Sequence, residues 1–197
     1  MIDLDLKLFR IINDLSGQSS ALDTVSIFFA RWLIFIMIAL VIFFSLRQLL
    51  KDSAVRRRSE IVRDTVIVLR SSLASICAIF DGLILSLFLF RPRPFVVLTD
   101  VNLLINPPLT AKSFPSDHAI ISFALAFSVL MLHRRLGAVL LICAGAVAVG
   151  RVLVGVHYPL DVLAGAILGT AWALIITLIG RHLRDEARVD KLVTPKH

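Results

Sequence analysis

The chain has 197 residues, 58% of them hydrophobic, with a mean hydropathy of +0.89. Soluble domains run nearer to half apolar, so this composition excludes an ordinary soluble domain and points to an integral membrane protein. The formal net charge is +7, with 21 basic residues, and their placement says more than their sum.

The opening MIDLDLKLFR carries acids where a secretory signal would carry a basic region, so no cleaved peptide is expected. Next, Leu4, Leu8, Ile11, Ile12 and Leu15 recur at helical spacing. That suits an amphipathic helix lying in the membrane interface, or an ordinary packing helix. A spanning helix needs about 20 predominantly apolar residues, and five stretches qualify or nearly do. They are Thr24–Leu46, Asp64–Phe90, His118–Leu132, Gly137–Val156 and Leu160–Gly180, the third being short unless Phe114–Ser116 extend it. Between the second and third lies RPRPFVVLTDVNLLINPPLTAKSFPSD, a Pro-rich loop with an apolar middle. In the last span Gly165 and Gly169 form a small-xxx-small pair suited to close packing within the bundle. Trp32 and Trp172 read as packing residues or interface anchors. Cys77 and Cys143 sit in apolar runs with no CxxC spacing and read as small buried hydrophobes. There is no long repeat, low-complexity tract or linker, so residues 1–197 are expected to form a single domain. The expected fold is an all-α, polytopic transmembrane bundle of about five spans plus an N-terminal amphipathic helix.

With five spans, one side of the membrane receives segments 47–63, 133–136 and 181–197, which hold thirteen of the basic residues. The positive-inside rule places that side in the cytoplasm, the N-terminus outside and the C-terminus inside. The run VRRRSEIVR is then a cytoplasmic retention signal, and no nucleic-acid partner is expected. The opposite, outer face collects Arg91, Arg93, the PSDH tetrapeptide and GRVLVGVHYPLD. The chemically capable residues thus converge on one side.

His157 and Asp161 stand four residues apart, so the carboxylate is placed to accept a hydrogen bond from one imidazole nitrogen and leave the other as nucleophile or base. Taken alone, the pair suits a helix cap at the headgroups equally well. Its companions carry more weight. Arg93 and Arg151 offer guanidinium forks to phosphate oxygens from different spans. Ser116 and the open N–H groups at the start of the third span add donors, with Pro115 read as a helix-starting residue. His118 is a second imidazole on another helix. This set describes phosphoryl transfer. There is no Asp-rich cluster, no HExxH and no Walker glycine loop, so neither a metal nor another cofactor is expected.

Arg93-Pro94, then Pro115-Ser116-Asp117-His118, then Arg151-x5-His157-x3-Asp161 resemble the three signature motifs of the type 2 phosphatidic acid phosphatase superfamily. The wording FRPRPFV, SFPSDH and GVHYPLD is most similar to its bacterial undecaprenyl-diphosphatase branch. Two positions depart from the family pattern: Ser86 stands where a lysine is usual, and Gly150 where a serine precedes the arginine. The resemblance implies that His157 attacks phosphorus, that Asp161 holds its ring, and that His118 protonates the leaving oxygen. It implies a phosphate site of Arg93, Arg151 and Ser116, in which we also expect Asp117, Ser86 and Arg91, the last supplying the charge missing at 86. The implied protein is a metal-independent enzyme of the bacterial cytoplasmic membrane, its partners being membrane lipids and a lipid phosphate or diphosphate substrate. Undecaprenyl diphosphate is the preferred substrate. Phosphatidic acid or phosphatidylglycerophosphate is the alternative, and a non-catalytic lipid-phosphate binder or transporter is the rival from another class.

Ionisable residues inside spans are rare and usually paired or functional. Arg31 and Asp81 lie at similar depths, ~10–14 Å by helical rise, so a pair between them is geometrically allowed; the alternative is that either faces a water-filled cavity independently. Arg70, near the cytoplasmic end, is expected to snorkel.

Overall fold

Long uninterrupted apolar runs leave the backbone no better partner than itself, and the regular structure among the described residues is helical. The computed structural model describes residues 3–50 and 58–193, with side chains described for 3–47 and 67–183. The helices are α1 (Asp3–Asn13), α2 (Ser20–Ile27), α3 (Leu33–Leu50), α4 (Arg58–Phe88), α5 (Pro94–Val97), α6 (Asp117–Leu130), α7 (Arg134–Leu153) and α8 (Pro159–Val193), with a π-helical turn, Phe28–Trp32, joining α2 to α3. The run VRRRSEIVR and the charged C-terminal tail, which carry most of the orientation argument, fall largely outside the described side chains.

Among the described residues four helices are long and apolar enough to cross a membrane: Ser20–Arg47, Ile67–Phe88, Arg134–Leu153 and Pro159–Leu183. Their outward faces carry Phe35, Phe43, Phe80, Leu87, Phe88 and Ile142, each more than half exposed, a surface suited to lipid rather than water. The fifth apolar helix, α6, has 14 residues and is only about 21 Å long. It sits at the centre, packed chiefly against α8 and α7 and also against α4 and α3. Ala119, Ile120, Ala124, Leu125, Ala126 and Val129 are all buried, as befits a helix that is apolar all round. Gly165 and Gly169 supply the α6–α8 seam: a Cβ on Gly165 would lie 2.6 Å from the Ser116 carbonyl oxygen, and one on Gly169 would collide with that of Ile120. The small-residue pair therefore serves packing inside the bundle.

At one end of the bundle the connection between α4 and α6 folds back as a cap. Its apolar middle is explained there: Phe95, Leu103, Leu104 and Ile105 pack on Ala30, Val154 and Val156. Helix α1 lies across the same end with its polar face inward. Asp5, Asn13 and Ser16 are buried with Phe9, while Leu4, Leu8, Ile11 and Leu15 point outward. Asn13 Nδ2 and Ser16 Oγ both donate to the Leu153 carbonyl, each at 2.8 Å, satisfying a carbonyl that the end of α7 leaves open. The outward stripe is the one an interfacial helix would present to lipid.

The Arg31–Asp81 pair that equal depth allows does not form, and the cavity alternative describes Arg31. Asp81 accepts a hydrogen bond from Trp172 Nε1 at 3.3 Å, and Arg31 lines a pocket at the capped end. Equal depth was a poor guide because it ignores azimuth: α4 packs against α8, whereas the π turn packs against α7. Arg70 does not snorkel; it is 9% exposed, its guanidinium lodged against Gly180 of α8. Cys77 and Cys143 are free and half-buried rather than fully buried.

Candidate active site

The capped end gathers the C-terminal ends of α4 and α7, the N-terminal ends of α6 and α8, and the π turn. Between α7 and α8 the chain reverses through Gly155, whose φ of +80° favours glycine and whose missing Cβ makes room for the Asn102 carbonyl. Pro159 then opens α8 and Asp161 falls in its first turn. The two ends of the cap are zipped together by backbone bonds, Arg93 N–H to Ala111 O at 3.0 Å and Ser113 N–H to Arg91 O at 2.8 Å. That pairing delivers Arg93 and Ser113 to the α7–α8 connection.

His157 is 2% exposed. Its Nδ1 lies 2.9 Å from the carbonyl oxygen of Ser113. A carbonyl only accepts, so Nδ1 carries the proton and the lone pair resides on Nε2. Arg93 Nη1 donates to Nε2 at 3.1 Å, and the same guanidinium donates to Val156 O at 3.0 Å and Thr110 O at 2.8 Å. Burial holds the His157 pKa down at about 4; Asp161 pulls against this, and Arg151 and Arg93 reinforce it. The nucleophile candidate is therefore a neutral imidazole of defined tautomer at neutral pH. Burial also lowers the pKa of Arg93, with Asp117 and Asp161 opposing.

The expected direct bond from His157 to Asp161 is absent. The carboxylate stands 3.7 Å from Nδ1, beyond hydrogen-bonding reach. Its oxygens are engaged by Ser113 Oγ at 2.5 Å, the Tyr158 N–H at 2.8 Å and Arg91 Nη1 at 3.0 Å. The i,i+4 spacing straddles the break before α8, so it does not act as a helical contact. Ser113 instead serves both partners, fixing the ring through its carbonyl and the carboxylate through its hydroxyl. Sequence reading missed this residue, although it sits just upstream of the PSDH tetrapeptide.

Ser116 occupies the N-cap position of α6 yet makes no capping bond, and Pro115 precedes the helix rather than opening it. Its hydroxyl and Arg151 Nε are both buried without a hydrogen-bond partner among the described residues. Native structures leave few such groups; two donors beside a neutral imidazole suit an anion. Arg151 Nη1 donates to the Ala30 carbonyl of the π turn at 3.1 Å. His118 lies in the first turn of α6, within the field of Arg151, His157 and Arg93. It lines a pocket of about 260 Å³ with Arg31, Ile105, Asn106, Pro108 and Arg151.

Three residues expected in the phosphate site have other partners. Ser86 donates its hydroxyl back to Leu83 O of its own helix at 2.7 Å. Asp117 is half-exposed and faces Lys112 Nζ at 3.3 Å. Arg91 does not supply a free charge: it bridges Asp5 at 2.5 Å and Asp161 at 3.0 Å, with its guanidinium 3.7 Å from the centre of the Tyr158 ring. Asp5 also accepts the Leu160 N–H at 2.9 Å, so Arg91 is a strut tying α1 to the start of α8. Gly150 has its own reason to lack a side chain, since a Cβ there would lie 2.9 Å from Ala30 N and 3.0 Å from Phe29 Cβ.

A family model described as the PAP2 superfamily matches residues 65–185. This chain belongs to the PAP2 superfamily. A Bacillus licheniformis relative, named bacitracin transport permease protein BcrC, is 34% identical over 88% of this chain and 79% of its own. The Bacillus subtilis undecaprenyl-diphosphatase BcrC is 30% identical over 94% of this chain and 86% of its own. Among solved structures, Aquifex aeolicus LpxE superposes with a TM-score of 0.64 at 31% identity, covering 88% of this chain and 94% of that one. The PAP2-type phosphatidylglycerolphosphate phosphatase of Bacillus subtilis, at 17% identity and a TM-score of 0.50, shares the fold.

Proposed function

We infer that this PAP2 protein is a membrane lipid phosphatase, and that it hydrolyses undecaprenyl diphosphate to undecaprenyl monophosphate and inorganic phosphate. The observation that carries the reading is the environment of His157 Nε2: a lone pair fixed by Ser113, facing Arg93, with the unpartnered donors of Ser116 and Arg151 alongside. The substrate follows from relatives named for that activity.

In the proposed reaction His157 Nε2 attacks the terminal phosphorus, and the bond from that phosphorus to the bridging oxygen breaks. His118 gives its proton to that oxygen, and the lipid monophosphate departs, leaving a phosphohistidine. Water then attacks phosphorus, His118 takes its proton, and the N–P bond breaks to release phosphate. Arg93, Arg151 and Ser116 bind the equatorial oxygens, where charge accumulates. Asp161, ionised and held by three donors, stabilises the imidazolium across 3.7 Å as Nε2 becomes bonded. The distribution of basic residues supports a site on the outer face of the bacterial cytoplasmic membrane, N-terminus outside and C-terminus inside. We further propose that the whole chain is one domain.

The test is phosphate release by purified protein in detergent with chelator present, using a polyprenyl diphosphate, phosphatidic acid and phosphatidylglycerophosphate. Turnover that persists in chelator and favours the diphosphate is expected. Preference for a glycerophospholipid overturns the substrate assignment. A second reading is non-catalytic binding or transport, and the Bacillus licheniformis relative is named a transport permease, for bacitracin; failure to release phosphate from any of the three would select it.

A further inference from the structure

The family pattern leaves this site one cation short. The position of the usual lysine is Ser86, whose hydroxyl is turned back on its own helix. The nearest substitute in sequence, Arg91, is committed to two carboxylates. Arg31, by contrast, is exposed on the π turn and lines the pocket shared by His118 and Arg151. Among the described residues no carboxylate pairs with it; its neighbour is the Trp32 ring, 5.6 Å from the guanidinium carbon. π turns are rare and frequent at functional sites, and this one is pressed onto α7 where Gly150 leaves room and where Arg151 Nη1 bonds the Ala30 carbonyl.

Arg31 lies on a particular side of the reaction. The pocket it lines includes His118, the proton donor to the leaving oxygen, together with Asn106 and Pro108, but not His157. We propose that Arg31 binds the phosphate that stays on the lipid, making a second subsite for a diphosphate substrate; this rests on the diphosphatase reading above. When the bridging bond breaks, the departing lipid monophosphate gains negative charge, and a guanidinium at that place stabilises it alongside the proton from His118. In a glycerophospholipid monoester the same place is taken by an uncharged glycerol backbone, which gives Arg31 no anion to hold. The cation missing at position 86 is thus replaced by one on the leaving-group side, where it selects diphosphates.

The experiment compares full-length wild type, Arg31→Gln and Arg31→Lys in detergent on farnesyl diphosphate and phosphatidic acid. For Arg31→Gln, kcat/KM on the diphosphate should fall roughly 10-fold to 100-fold, as loss of a hydrogen bond to a charged group implies. The value on phosphatidic acid should stay within about threefold, the change expected of an exposed side chain that meets no anion. Arg31→Lys should recover part of the loss. Inhibition by farnesyl monophosphate should weaken with the diphosphate activity, while inhibition by inorganic phosphate should not, a contrast independent of phosphatidic acid turnover. Equal losses on both substrates with both inhibitors weakened alike, or no loss at all, overturns the subsite while leaving the diphosphatase reading intact. A wild-type enzyme inactive on diphosphates overturns both.

Discussion

Gly150→Ser restores the residue usual in the family, and a simple inventory of donors would expect it to speed the enzyme. The structure expects the opposite. A Cβ at this position would lie 2.9 Å from Ala30 N, 3.0 Å from Phe29 Cβ and 3.2 Å from Phe29 C, against 3.4–4 Å for ordinary contact. Two of those atoms are backbone, so the π turn must retreat by about half an ångström, and overpacking of this kind costs about 1–3 kcal/mol. The retreat stretches the 3.1 Å bond from Arg151 to Ala30 O and moves Arg31 away from the pocket. A 1 Å misplacement of a positioning group can cost about 100-fold in rate, so roughly a tenfold loss of kcat/KM is expected here. Phosphate release and the thermal midpoint in detergent would be measured for Gly150→Ser and for Gly150→Ala, which has the same Cβ without the hydroxyl. Both should fall together in stability and rate. A Gly150→Ser enzyme faster than wild type, with Gly150→Ala slower, would refute the packing argument and show that the lost hydroxyl is the dominant effect.

Two further predictions address the strut and the nucleophile. Arg91→Gln should destabilise the protein by up to about 3 kcal/mol, the lower end of the cost of removing one partner from a buried ion pair, since Arg91 keeps some solvent contact. A change in KM with no change in thermal midpoint would instead make Arg91 a substrate ligand. His157 is held neutral down to about pH 4, whereas an unfolded imidazole charges near 6.5. The fold thus binds fewer protons than the unfolded chain across that window, so its contribution is present above pH 6.5 and is lost as pH falls toward 4. Between pH 7 and 4 the thermal midpoint of His157→Gln should decline less steeply than that of wild type, and parallel declines would contradict the buried neutral imidazole.

The helical bundle was legible because apolar runs near membrane length admit few alternatives, and because prolines and glycines punctuate them where the chain turns. His157, His118, Arg93, Arg151 and Ser116 were legible from motif spacing, and the structure gathers them at one end of the bundle. What sequence hid was contact between distant segments. The tie from Asp5 through Arg91 to Asp161 joins three parts of the chain, and neither acid announces its partner. Ser113 acts partly through its backbone carbonyl, which any residue type possesses. For helix α1 the apolar stripe left two readings open, and contact decides between them: the polar face is buried because carbonyls at the end of α7 need donors there. Sequence left Arg31 between a pair with Asp81 and a place on a cavity, because span depth fixes one coordinate of three and a π turn shifts which face a residue presents.

The most direct measurement is the identity of the covalent intermediate. Protein mixed with polyprenyl diphosphate labelled in its terminal phosphate, quenched in base and mapped by mass spectrometry, should carry phosphate on His157. That label should be stable in base, lost in acid, and missing from His157→Ala. Steady turnover in wild type with no label on His157, or turnover retained by His157→Ala, would contradict the account.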